Sequence, residues 1–167
     1  MRLIAFSSVL FLMFAEIGCV ARSSEHIGAQ APDFTLPLVS DPKQKINLTE
    51  TAKEGPVLLV FWASWCPTCV EEIPEVNHVY QEWSPKGLKI LGVNVQEPQN
   101  DVLQFMKAQP IDYPVVLDEE GDVADKFGLV GLPSAVVLAK GGEIIYYGFS
   151  LPRNLSELLN QRRSQTR

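Results

Sequence analysis

The chain has 167 residues and a formal net charge of −6, and 46% of its residues are hydrophobic. This length is enough for one domain with a hydrophobic core, and the composition is that of a globular protein. The acidic balance and the lack of a Lys- or Arg-rich run argue against nucleic acid as the main partner. The chain has 3 cysteines, which are too few for a small protein held together by disulfides.

The first residues, 1–21, have the pattern of an export signal rather than of a folded element. A positive charge at the start precedes a mostly apolar stretch, 3–14, which is shorter than the roughly 20 residues of a membrane span. Residues 19–21 fit a small-residue cleavage site. The residues up to Cys19 alternatively resemble a bacterial lipoprotein signal, although Glu16 stands where an aliphatic residue is usual. Export is therefore expected, and cleavage, lipidation at Cys19 and an uncleaved anchor all stay open.

Behind this segment, residues 22–30 are polar and small and are predicted to form a tether. The domain is predicted to cover 31–163, followed by a frayed tail at 164–167. It should begin with a half-buried edge strand within 31–38, where apolar and polar residues alternate and two prolines occur. A turn and a return strand at 46–48 would complete an N-terminal hairpin.

The rest of the chain alternates between strand-like and helix-like segments. An apolar run at 57–61 is followed by a helix that is expected to extend to about Trp83. Further strands are predicted at 88–95, 115–117, 135–138 and 144–148, and further helical segments at 101–109, 123–127 and 155–163. This order predicts an α/β fold with a central mixed sheet and helices on both faces.

A C-x-x-C pair, Cys66 and Cys69, stands where the central strand gives way to the long helix. The first N–H groups of a helix have no partner within the helix, and the helix dipole is positive at that end. A thiolate placed there is stabilised, which lowers the cysteine pKa from about 8.5 into a range of roughly 3.5–7.5. Pro67 suits the first turn, where its missing N–H is not needed. The pattern predicts a reactive dithiol that closes into a reversible disulfide.

Four segments together resemble the thioredoxin superfamily, and most closely its extracytoplasmic branch of TlpA/ResA-type thiol–disulfide oxidoreductases. Residues 31–34, Ala-Pro-Asp-Phe, resemble the lead-in strand of redoxins, and residues 61–69, Phe-Trp-Ala-Ser-Trp-Cys-Pro-Thr-Cys, resemble the redox motif. Residues 131–134, Gly-Leu-Pro-Ser, resemble the loop with a cis-proline, and residues 101–117 resemble the insert that separates this branch from minimal thioredoxin. The resemblance covers roughly 31–159 and implies a thioredoxin-like fold with an N-terminal β-hairpin extension and a βα insert.

The same resemblance implies roles for individual residues. Cys66 would be the attacking thiolate, and Cys69 would be the partner that resolves the mixed disulfide. Pro133 would be the cis-proline opposite the sulfurs and would expose backbone groups to an extended substrate chain. Leu132, which precedes it, and Trp65, beside Cys66, are expected to belong to the substrate-binding surface.

Glu72 matches a glutamate that many TlpA/ResA-type proteins carry three residues after the second cysteine, on the same face of the helix. Thioredoxins have a buried aspartate on the central strand, six residues before the first cysteine, where this chain has Val60. We therefore expect Glu72 to move the proton of Cys69 during catalysis. Asn94 and Glu97 follow the next strand, where this type of sheet places its site, and are expected nearby.

These features predict an exported thiol–disulfide oxidoreductase that reduces protein disulfides and needs no cofactor. Because a reductase in an oxidising compartment needs electrons from outside, the resemblance implies a membrane thiol-reducing partner. It also implies substrates such as apocytochrome c, whose haem-binding cysteines must stay reduced during cytochrome c maturation. The expected location is the bacterial periplasm, or a membrane-anchored position outside the cytoplasm.

Other functions of the cysteine pair fit the sequence less well. A zinc site would need four ligands, but no second C-x-x-C exists, His26 lies in the predicted tether and His78 is isolated on the predicted helix. A structural disulfide across so short a loop would add little stability. A thiol peroxidase would need a Pro-x-x-x-Thr-x-x-Cys arrangement, which Ser64-Trp65-Cys66 does not supply. A redox-inert binding module is the remaining alternative, and the intact cysteine pair argues against it.

Overall fold

The computed structural model describes residues 26–165, and it describes side chains as far as residue 160. Its centre is a five-stranded sheet with the strand order β5-β4-β3-β6-β7. The strands are β3 (Val57–Trp62), β4 (Lys89–Val95), β5 (Val115–Asp118), β6 (Ser134–Leu138) and β7 (Ile144–Gly148). β4 runs parallel to β3 and β5 runs parallel to β4, whereas β6 is antiparallel to β3 and β7 is antiparallel to β6.

A small hairpin and the helices surround this sheet. The hairpin pairs β1 (Thr35–Pro37) with β2 (Lys45–Asn47) in antiparallel register. The helices are α1 (Leu48–Glu54), α2 (Pro67–Trp83), α3 (Gln99–Ala108), α4 (Asp122–Lys126) and α5 (Leu155–Gln165). Within residues 26–165, no helix combines the length and the apolar character that crossing a membrane requires.

The central strand β3 is buried at every position. Its side chains point alternately to the two faces of the sheet, and both faces are covered. Trp62 and Val60 belong to an apolar cluster that includes residues of α2, α3 and α5. Phe61 belongs to a second cluster that includes residues of α1 and α4. Because each buried large apolar side chain contributes roughly 1.5–3 kcal/mol, this packing on both faces fixes the strand that leads to the cysteine pair.

Both edges of the sheet are partly covered by chain that precedes it. Along β7, Gly28 N–H donates to the carbonyl of Ile144 at 2.8 Å, and Ile144 N–H donates to the carbonyl of Ala29 at 2.9 Å. Along β5, Val39 N–H donates to the carbonyl of Val115 at 2.8 Å. Gly28 and Ala29, near the end of the tether predicted at 22–30, therefore lie beside β7. Covered edges leave fewer unpaired backbone groups for another chain to pair with.

The structure confirms the mixed sheet, the helices on both faces and the N-terminal hairpin that the sequence predicted. Each observed strand of the central sheet starts and ends within one residue of its predicted bounds. The predicted insert forms α3 and β5. Helix α1 was not predicted, and Leu48 begins this helix instead of ending a strand. The reason is local, because the Asn47 side chain accepts the Glu50 N–H at 2.8 Å and caps the helix.

Candidate active site

The site is built where β3 turns into α2. β3 ends at Trp62, which is buried, and a short loop of Ala63, Ser64 and Trp65 leads to the first cysteine. The Cys66 N–H donates to the carbonyl of Ala63 at 3.2 Å and closes this loop. Because the strand is fixed on both faces, the loop presents the cysteine pair from a rigid support.

Cys66 and Cys69 form a disulfide, with their Cα atoms 5.3 Å apart. Cys66 is also the N-cap of α2, and its Sγ accepts the Cys69 N–H at 3.2 Å. Pro67 occupies the first turn, where no N–H is needed. A thiolate at Cys66 would therefore receive a hydrogen bond and lie at the positive end of a helix that extends to Trp83. Both effects lower the pKa of a thiol at this position.

The loop before β6 lies at the same end of the sheet. Ser134, the first residue of β6, pairs with Phe61 near the end of β3. The Leu132–Pro133 peptide bond is cis, as the family resemblance implies. The Ser134 hydroxyl donates to the carbonyl of Gly131 at 2.8 Å and braces the loop. The structure thus brings Pro133 to the end of the sheet that carries the cysteines.

An open groove of about 210 Å³ runs between the Ala63–Trp65 loop, called the redox loop below, and the loop before β6. Trp65 and Leu132, both predicted to bind substrate, line this groove.

 The other lining residues come from the end of β4, from α4 and the residues on either side of it, and from the loop before β6: Val95, Gln96, Gly121, Ala124, Asp125, Leu129 and Gly131. Trp65 is 61% exposed, so its ring is available to a partner.

Two more apolar side chains extend this surface, and the sequence analysis missed both. Val130 is 66% exposed and Phe149 is 57% exposed, and they flank the same loop. A Cβ placed on Gly131 would lie 3.9 Å from the Phe149 ring. Among the side chains that the structure describes, four large apolar ones are exposed, and three of them lie at this end of the sheet. The sequence carried one signal for Phe149, which is an aromatic residue directly after the last predicted strand. That signal is informative only when the end of the sheet at which the strand stops is known.

Glu72 lies on α2, three residues after Cys69, and is partly buried. Burial raises the pKa of its carboxyl group, and the nearby charge of Glu75 raises it further. Burial also raises the pKa of Tyr113, with a smaller contribution from the charge of Glu72. Val60 is buried in the same apolar cluster as both cysteines. A carboxyl group that holds its proton more strongly than usual is therefore present on the helix that carries the cysteine pair.

Glu97, which follows β4, and Asn94, near the end of β4, both lie at this site. Glu97 is 5% exposed, and one of its carboxylate oxygens accepts the Ser64 N–H at 2.7 Å. The other oxygen accepts the Ser64 hydroxyl. The Asn94 side-chain amide donates to Glu97 at 2.7 Å. The buried carboxylate thus connects the end of β4 to the loop that precedes Cys66.

Comparisons with known proteins agree with this geometry. The chain matches the model of the Redoxin family over residues 26–158. It is 30% identical over 150 residues to the thiol-disulfide oxidoreductase ResA of Geobacillus thermodenitrificans, and the match covers 86% of this chain and 84% of that relative. It is also 30% identical over 151 residues to ResA of Bacillus subtilis, with 86% and 83% covered.

A solved structure gives the same result. StoA from Bacillus subtilis superimposes with a TM-score of 0.65 at 26% identity, and the match covers 77% of this chain and 96% of StoA. The chain therefore has relatives of known fold. Its own structure has the five-stranded mixed sheet, the helix-capping cysteine and the cis-proline loop described above. The chain belongs to the Redoxin family and is a thiol–disulfide oxidoreductase of the ResA/TlpA type in the thioredoxin superfamily.

Proposed function

We propose that the protein works outside the cytoplasm as a reductase of protein disulfides, with Cys66 as the attacking residue and Cys69 as the resolving residue. The observation that carries this proposal is the position of Cys66, whose Sγ caps α2 and accepts the Cys69 N–H. A thiolate is the reactive form of cysteine, and this position favours it.

The reaction passes two electrons from the dithiol to the substrate. The Cys66 thiolate attacks one sulfur of a substrate disulfide, the substrate S–S bond breaks, and the leaving substrate thiolate takes up a proton. Cys69 then loses its proton and attacks the Cys66 sulfur, which releases the second substrate thiol and closes the Cys66–Cys69 disulfide. The oxidised protein must be reduced again, and we assign this step to a membrane thiol-reducing donor.

Glu72 is the proposed acceptor of the Cys69 proton. It lies three residues from Cys69 on the same helix, and its raised pKa makes it a stronger base than an exposed glutamate. Glu72→Gln should change the pH dependence of the step that resolves the mixed disulfide. Identical pH profiles for this variant and the parent protein would exclude the role.

The proposed substrate-binding surface consists of Trp65, Val130, Leu132, Pro133 and Phe149. An extended substrate segment next to its target cysteine would lie across the Leu132–Pro133 loop, with apolar side chains against Trp65 on one side and Phe149 on the other. Exposed aromatic side chains are frequent anchors at protein interfaces, because they bury large areas with few rotatable bonds.

The N-terminal segment enters the domain near this surface. The His26 ring stacks on Tyr147 at 4.5 Å, and Tyr147 lies two residues before Phe149. If Cys19 carries a lipid, the residues between it and His26 span at most about 25 Å. Such an anchor would hold the cysteine pair near a donor in the membrane. Membrane association that Cys19→Ser abolishes would support this anchor, and unchanged association would exclude it.

The natural substrate is the finer part of the proposal. We propose apocytochrome c as one substrate, on the basis of the similarity to ResA. The chain is similar to both ResA and StoA, two differently named proteins of Bacillus subtilis, so similarity alone does not select a target. Reduction of an oxidised C-x-x-C-H peptide at a higher rate than an unrelated disulfide peptide would support apocytochrome c.

Two variants test the proposed function directly. Cys69→Ser should form a stable mixed disulfide with an oxidised protein substrate such as insulin, because the resolving thiol is absent. Cys66→Ser should form none and should not reduce insulin. Mixed disulfides formed through Cys69 in the Cys66→Ser protein would contradict the assigned roles. Insulin reduction that survives the loss of both cysteines would favour a different activity.

A further inference from the structure

Glu97 is a buried carboxylate without a cationic partner among residues 26–160. Burying a charged group is unfavourable unless hydrogen bonds replace its lost hydration. Here three donors replace it, namely the Ser64 N–H, the Ser64 hydroxyl and the Asn94 amide. Two of these donors belong to one residue of the redox loop, which indicates that the carboxylate is placed to hold that loop.

The position of Asn94 supports this interpretation. Asn94 is fully buried on β4, opposite Trp62 in the parallel register of β3 and β4. Its amide nitrogen donates to Glu97, whereas its Oδ1 atom has no hydrogen-bond partner in the structure. Since a buried oxygen without a partner is unfavourable, the orientation of this side chain is determined mainly by its bond to Glu97.

Ser64 transmits this contact to the cysteine. It lies two residues before Cys66 and directly before the exposed Trp65. The loop has one further internal backbone bond, from the Cys66 N–H to the carbonyl of Ala63. The bonds from Ser64 to Glu97 therefore fix the loop against β4, the strand next to the one from which the loop emerges.

We propose that Glu97 is a positioning residue for the reaction, which holds the Ala63–Trp65 loop through Ser64 and so sets the place of Cys66 relative to the substrate. Asn94 orients the Glu97 carboxylate for this task. The proposal rests on the role of Cys66 in the proposed function. Glu97 acts through Ser64 and needs no contact with the substrate.

The test compares Glu97→Gln and Ser64→Ala with Glu119→Gln in the purified protein. Glu119 is an exposed carboxylate beyond β5 at the same end of the parallel strands, so its variant controls for the loss of one negative charge. Amide hydrogen exchange is measured at Ser64, together with kcat/KM for insulin reduction. We expect Glu97→Gln to speed exchange at Ser64 and to lower kcat/KM, each by about tenfold, whereas Glu119→Gln changes neither.

Ser64→Ala keeps the backbone N–H and removes only the hydroxyl, so it provides a milder variant if Glu97→Gln fails to fold. The two substitutions should be non-additive, because both act on one contact, and the double variant should be about as slow as Glu97→Gln alone. Parent-like exchange at Ser64 and parent-like kcat/KM in Glu97→Gln would overturn the proposal. If Cys66→Ser still reduced insulin, the proposed function itself would fail, and that outcome is separate from the result with Glu97.

Discussion

The backbone N–H of Cys69 points at the Sγ atom of Cys66 at 3.2 Å, so the first cysteine of the pair caps the helix that carries the second. Both cysteines are almost completely buried, at 6% and 3% exposure, and exposure alone therefore does not separate them. The helix terminus distinguishes the two cysteines, because its free N–H groups and its dipole act mainly on Cys66.

This relationship predicts which thiol of the reduced protein reacts first. With a limiting amount of iodoacetamide at about pH 7, Cys66 should be modified at least about tenfold faster than Cys69, since the helix terminus favours the thiolate form of Cys66. Peptide mass spectrometry of the alkylated protein measures the ratio. Equal modification of the two residues, or faster modification of Cys69, would show that the helix terminus does not activate Cys66.

The raised pKa of Glu72 predicts a pH-dependent effect on stability. Because burial raises the pKa in the folded state, the folded protein holds this proton more strongly than the unfolded chain. The carboxyl group therefore destabilises the fold as the pH rises from below the unfolded pKa through the folded pKa. Glu72→Gln should remove this penalty. It should stabilise the protein by less than about 1 kcal/mol at about pH 7 and should give no stabilisation at about pH 3.5.

Urea unfolding at the two pH values measures the difference between the Glu72→Gln protein and its parent. Glu71→Gln replaces an exposed neighbour on the same helix and controls for the loss of one charge. A stabilisation by Glu72→Gln that was the same at both pH values would contradict the account of Glu72.

The exposed apolar surface predicts an effect that depends on the substrate. Phe149→Ser should lower kcat/KM for a protein disulfide by roughly 3- to 10-fold, because it removes apolar area that a bound polypeptide would cover. The rate with a small linear disulfide such as oxidised glutathione should change much less, since that molecule is too small to cover Phe149 while it reacts at Cys66. Equal losses with both substrates would indicate that the substitution damages the cysteine pair rather than docking.

Packing near the site predicts that Gly92 does not tolerate a larger side chain. A Cβ at Gly92 would lie 2.8 Å from the Tyr113 ring and 3.1 Å from the Trp62 indole nitrogen. Gly92→Ala should therefore destabilise the protein by about 1–3 kcal/mol, because these buried rings must move. Gly131→Ala is the matched control for stability, since a Cβ there meets its nearest neighbour, Phe149, only at 3.9 Å. Similar urea midpoints for the two variants would contradict this packing argument.

Much of the fold followed from the sequence because apolar runs and turn residues are local signals. The strand at Val57–Trp62 is a continuous apolar run, as expected for a strand that is buried on both faces. Gly141 and Gly142 both adopt positive φ angles, which suits the tight turn between the two strands predicted at 135–138 and 144–148. Helix α1 was missed because it has only 7 residues, and its start depends on the side chain of Asn47.

The site was predictable where chemistry is carried by a motif and not where it depends on distant contacts. The cysteine pair and Pro133 stand in recognisable segments. Phe149 and Val130 have no such pattern. Phe149 reaches the end of the sheet that carries the cysteines because β7 returns antiparallel to β6, and Val130 lies there because it precedes β6. The position of Glu97 after β4 indicated proximity, but its bonds to Ser64 could be found only from the structure.

The reduction potential of the Cys66–Cys69 couple tests the central claim most directly. The purified protein would be equilibrated with dithiothreitol redox buffers, and its thiols would be trapped and counted. A reductase should show a reversible two-electron couple near that of thioredoxin, at about −270 mV. A value near about −120 mV, typical of a strong protein-thiol oxidant, would reverse the assigned direction of the reaction. The absence of any reversible couple would contradict the proposed catalytic role of the pair.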